Sequence, residues 1–75
     1  MSAPNAIRSP LMAITQEILP VFGLAFLVDD NDTTWAITKS TDGPGLHTLQ
    51  TGQRVKLMID EHPDFRVVRA YDPQN

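Results

Sequence analysis

Across residues 53–60, Val55, Leu57 and Ile59 alternate with Arg54, Lys56 and Met58. Apolar side chains with a period of two mark a strand that buries one face. Residues 24–28, 33–38 and 65–71 are short runs of the same kind, rich in large apolar and β-branched residues. Turn formers separate the runs: Asp29-Asp30-Asn31-Asp32, Asp42-Gly43-Pro44-Gly45 and Glu61-His62-Pro63-Asp64. Residues 11–19 are ambiguous. Met12, Ile14 and Ile18 share strand parity, while Leu11, Ile14 and Ile18 also fit the i, i+3, i+7 spacing of a helix. We adopt the strand, followed by a bend at Pro20-Val21-Phe22-Gly23. Residues 46–51 read as a short helical turn or irregular link ended by Gly52. Five short strands between turn signals predict an all-β fold, a small antiparallel barrel.

Pro4 and Pro10 make residues 1–10 an expected disordered tail, leaving residues 11–73 as one domain. At 75 residues, such a domain buries only about 60–65% of the surface its unfolded chain exposes. Its core is therefore thin. The chain has no cysteine, so apolar packing or self-association must supply what disulfides or a thiolate metal site cannot.

The formal net charge of −3 opposes strong nonspecific binding to phosphate backbones, although Arg54, Lys56, Arg66 and Arg69 cluster late in the chain. That basic set is either a phosphate groove or a solvated face offset by Asp60, Glu61 and Asp64. The longest apolar stretch, residues 18–28, is broken by Pro20 and Gly23 and falls short of the roughly 20 residues that span a bilayer as a helix. With no apolar run in residues 1–9, a soluble, cytoplasmic protein without membrane contact is expected.

Leu24 and Phe26 alternate in one segment, as do Trp35 and Ile37 in the next. If the two segments form a hairpin, these four make one patch, with Ala25, Leu27, Thr34 and Ala36 opposite. The patch is then core, a nucleic-acid platform or a protein interface. Leucine and isoleucine suit protein contact better than base stacking, because they lack a π face. The acidic run at 29–32 is not a calcium loop: counted from Asp30, the sixth position is Trp35 and the twelfth Thr41, where an EF-hand needs glycine and glutamate. His47 and His62 belong to no catalytic motif. No enzyme activity, cofactor or metal is expected.

The order of residues resembles the cold-shock domain, an OB-type barrel. Gly23-Leu24-Ala25-Phe26-Leu27 followed by Asp29-Asp30 is similar to that family's Gly-Phe-Gly-Phe-Ile strand and acidic hairpin. Leu49-Gln50-Thr51-Gly52-Gln53-Arg54-Val55 matches its Leu-x-x-Gly-Gln-x-Val element. Thr34-Trp35-Ala36-Ile37-Thr38 takes the place of its Val-Phe-Val-His-Phe strand. The resemblance covers residues 12–71 and implies single-stranded RNA or DNA stacked on Phe26 and Trp35, with Arg54, Lys56 and His47 nearby. The binding face departs from the family, however. Leu24, Ile37 and Thr38 stand where it has Phe, His and Phe, Phe22 where it has Lys, and Glu17 where it has Trp. Two expectations follow: weak single-stranded nucleic-acid binding, or a protein partner or homodimer held through Leu24, Phe26, Trp35 and Ile37.

Overall fold

The structure is a computed structural model and describes residues 7–74. Its strands are β1 (Ile7–Leu19), β2 (Leu24–Asp29), β3 (Thr34–Thr38), β4 (Arg54–Glu61) and β5 (Arg66–Pro73). They form one sheet of five strands in the order β3-β2-β1-β4-β5. Every neighbouring pair is antiparallel. β1 holds the centre because it is long enough to serve two partners, β4 through residues 7–14 and β2 through residues 13–19. The sheet curls until its outer strands approach. A parallel bridge between Asp42 and Ala70 then ties the loop after β3 to β5. The result is a small, partly open OB-like barrel, the all-β fold the alternation predicts.

β1 begins four positions before the expected start at Leu11, so residues 7–10 belong to the sheet rather than to a tail. Residues 1–6 lie outside the described residues. Pro10 is tolerated within the strand for a geometric reason. The Thr15 N–H donates to Gln53 O at 2.9 Å, so odd-numbered residues of β1 bond toward β4. The N–H that Pro10 lacks would therefore point to the strand's free edge.

A register shift between Thr15 and Glu17 is a β-bulge. Before it Ala13 and Thr15 face inward and Ile14 is exposed; after it Ile18 packs against the core. The shared parity of Met12, Ile14 and Ile18 is thus broken by one extra residue.

Ala13, Ala25, Leu27, Trp35, Ile37, Leu49, Val55, Leu57, Ile59 and Tyr71 form the core. Leu46 and Leu49, on and just after a 3-10 turn at Leu46–Thr48, contribute to it from the loop between β3 and β4. Tyr71 is locked in place: its hydroxyl accepts a hydrogen bond from the Gly45 N–H at 2.8 Å. Gly43 lies against its ring so closely that a β-carbon there would run into the aromatic carbons.

Candidate interaction surface

The turn between β2 and β3 fixes which side chains share a face. The Asp29 N–H donates to Thr33 O at 3.0 Å and the Asp32 N–H to Asp29 O at 3.1 Å. Asp32 adopts a left-handed φ of 61°. A three-residue loop of this kind, with its last residue left-handed, is a common hairpin connection. It pairs residues of equal parity: Ala25 with Ile37, Phe26 with Ala36, Leu27 with Trp35. Directly paired residues lie on the same face.

The four-residue patch expected from alternation is therefore divided. Trp35 and Ile37 are buried beside Leu27 and Ala25, whereas Leu24 and Phe26 point outward with Thr34 and Ala36. A loop one residue longer or shorter would have united them, since a single-residue slip exchanges the faces of a whole strand.

The Asp29 carboxylate anchors this arrangement. Oδ1 accepts from the Asn31 N–H at 2.8 Å and the Thr33 N–H at 3.0 Å, and Oδ2 from the Trp35 indole Nε1–H at 2.9 Å. The indole hydrogen bond, aided by the two amides and by the charge of Arg66, holds its pKa below the usual 3.8 despite the opposing effect of burial. Arg66 of β5 places its guanidinium 5.0 Å from the centroid of the Trp35 ring, within cation–π range. The acidic turn is thus a clamp on a core aromatic. The signal in the sequence was an aspartate that opens the turn six residues before the tryptophan.

What remains on the outer face is a different surface from the one expected. Val28 pairs with Ile14 and Ile14 with Arg54; Pro10 pairs with Met58 and Met12 with Lys56. Phe26 lies between Ala36 on β3 and Glu17 on β1. β1 and β2 consequently present apolar side chains on both faces: Leu11, Ala13, Ala25 and Leu27 on the inner one, and on the outer one an exposed Ile14 among half-buried Met12, Leu24, Phe26 and Val28. A solvated antiparallel face normally alternates apolar-in with polar-out. β3 and most of β4 obey that rule, with Thr34, Arg54 and Lys56 outward.

Arg54 and Lys56 border the apolar strip on its β4 side, and Asp72 faces Lys56 from β5. His47 is exposed on the Leu46–Thr48 turn and belongs to no strand of this face. Of the other late cations, Arg69 donates to the buried Asp60 at 2.8 Å. Beyond the strip, Val21 and Phe22 project from a 3-10 turn at Pro20–Phe22 that links β1 to β2.

Among the described residues, no helix is long and apolar enough to cross a membrane. Compared with family models, with curated proteins and with solved structures, the chain matches none.

Proposed function

We propose that the chain is a protein-interaction module whose contact surface is the outer face of β1 and β2, centred on Ile14, Val28 and Phe26. The observation that carries this reading is that these two strands are apolar on both sides. Adjoining apolar residues on an exposed sheet face mark a contact site more often than a solvated surface. The first partner to test is a second copy. A domain with so thin a core gains stability by covering such a face.

The test is sedimentation of the full chain across a wide concentration range. The expected result is a concentration-dependent dimer that Ile14→Asp or Phe26→Asp dissolves without unfolding the monomer. A chain that stays monomeric at high micromolar concentration, with outer-face NMR resonances unmoved by dilution, removes self-association.

A second reading rests on Phe26, Arg54 and Lys56 sharing that outer face on an OB-like barrel. The cold-shock resemblance supports it, implying a weak contact with single-stranded RNA or DNA. Magnitudes favour the first reading. With Trp35 inside, Phe26 alone is left of the expected stacking pair, and each stacked base contributes about 1–3 kcal/mol. A millimolar complex needs roughly 4 kcal/mol, and Glu17 beside Phe26 repels phosphate. Oligo-dT at low salt that shifts Phe26 and Ala36 more than dilution does would reverse this preference.

A further inference from the structure

The seam where the barrel closes is tied at one end and open at the other. At the tied end the Tyr71 N–H donates to Asp42 O at 2.9 Å. The Thr38 N–H is taken by Thr41 Oγ1 and the Thr38 carbonyl by the Thr41 N–H, each at 3.0 Å.

Toward the other end the two edges face each other without forming a ladder. Bonds from Asp29 N–H to Thr33 O and from Lys39 N–H to Gly23 O turn the odd-numbered residues of β3 toward β2. By the alternation of an antiparallel ladder, Thr34 and Ala36 direct their N–H and C=O groups into the seam. The bond from His62 N–H to Phe65 O likewise turns Phe65 and Val67 toward β4, leaving Arg66 and Val68 to face the seam. Among the described residues, no ladder pairs β3 with β5, and the one isolated bridge, between Asp42 and Ala70, lies at the tied end.

Between these edges runs a groove of about 550 Å³, lined by residues 33–36 on one side and 64–68 on the other. Phe65 and Val67, two of the large apolar side chains left exposed, line it. A polar cleft of about 400 Å³ continues it between residues 38–42 and 67–69.

We propose that this seam takes up an extended peptide segment of a partner protein as an added β-strand, with an apolar side chain resting against Phe65 and Val67. Alternating donors and acceptors along a short edge are satisfied by another extended backbone. An extended segment has two free edges and can bond to β3 and β5 at once, whereas the edge strand of a second copy is already paired along one of its sides. Phosphates are disfavoured, because Asp64 lines the groove and Asp42 and Asp60 the cleft beyond. Arg66 and Arg69 are already engaged by Trp35 and Asp60. The free edge of β1 is blunted by Pro10 and β3 carries no such block, a contrast that matters because exposed edges are usually protected. This inference does not depend on the outer-face reading.

The experiment titrates the full ¹⁵N-labelled chain with a short blocked peptide of alternating valine and threonine, capped by lysines, and follows amide shifts and hydrogen exchange. Expected are saturable shifts and slowed exchange at Thr34, Ala36, Arg66 and Val68, all exchanging fast in the free protein. The same peptide N-methylated at alternate residues should bind about tenfold more weakly, as should Ala36→Pro, which removes an edge donor while sparing the ladder to β2. The proposal is overturned if those four amides are already protected in the free chain. It is equally overturned if N-methylation changes nothing, if millimolar peptide leaves the four amides unmoved, or if the shifts fall on Ile14, Phe26 and Val28 instead. The last outcome would leave the outer-face reading intact.

Discussion

The two hairpins of this barrel are built on opposite principles. In the β2–β3 hairpin one carboxylate, Asp29, accepts three hydrogen bonds and pins Trp35 into the core. In the β4–β5 hairpin the turn is closed by one backbone bond, His62 N–H to Phe65 O at 2.8 Å. There the His62 and Phe65 rings stack at 4.3 Å and leave Phe65 and Val67 in solvent. The first hairpin spends its polar group on fixing an aromatic inside. The second leaves its aromatic outside and its edge unpaired. One hairpin buries its aromatic and the other exposes it, with a groove where they meet.

The sharpest way to break this contrast is to truncate the aromatic of each. Trp35→Ala should destabilise the fold by about 3–5 kcal/mol, the usual range for a buried tryptophan. Phe65→Ala should stay within about 1 kcal/mol, as surface changes do. Urea unfolding followed by circular dichroism measures both. Equal losses would mean that Phe65 is as structural as Trp35, and the assignment of roles to the two hairpins would be wrong.

That contrast also shows what was legible in the sequence. Alternation within Arg54–Glu61 placed Val55, Leu57 and Ile59 inside, because one strand's period needs no knowledge of its neighbours. The turn at residues 29–32 was legible too, from its aspartates and asparagine. Facing across the turn was not. Whether Trp35 sits with Phe26 or with Leu27 depends on whether the loop has an odd or even number of residues, and both choices satisfy alternation within each strand. The same blindness hid the bulge after Thr15, which makes β1 look half helical by period and conceals Ile14 as an outer-face residue. Of the expected site residues, Leu24, Phe26, Arg54 and Lys56 stand on the outer face. Trp35 and Ile37 do not, for reasons of register, and His47 does not, because its turn packs at the Tyr71 end.

The clamp can be loosened chemically without cutting away an aromatic. The folded pKa of Asp29 lies below its ordinary value, so its ionised form stabilises the fold. That contribution is complete above the unfolded value near 3.9. It is lost as pH falls through the folded value, because the unfolded chain takes up the proton first. Indole fluorescence during acid titration should therefore report loosening of Trp35 below about pH 4. Asp29→Asn should remove that acid-dependent component and lower stability at neutral pH, by less than Trp35→Ala. An amide group can accept from the turn amides, but its NH₂ end faces the indole donor. An unchanged acid profile in Asp29→Asn would assign the transition to another carboxylate.

The smallest expected effect tests the link between the hairpins. Arg66 belongs to β5, yet its guanidinium lies over Trp35 of β3 and its charge helps depress the Asp29 pKa. An exposed cation–π contact contributes about 0.5–1 kcal/mol, so Arg66→Ala should cost no more than that. Removing a positive neighbour also weakens the preference for ionised Asp29, so the acid transition of Trp35 fluorescence should move to higher pH. Arg66→Lys keeps the charge and loses the planar stack. It should retain most of the pH behaviour while giving up part of the stability, which separates the Coulombic effect from the ring contact. Because the double variant Arg66→Ala, Asp29→Asn has no carboxylate left to couple with, its stability loss should be smaller than the two single losses combined. Strict additivity would mean that the hairpins are energetically independent and that Arg66 only happens to lie over the ring.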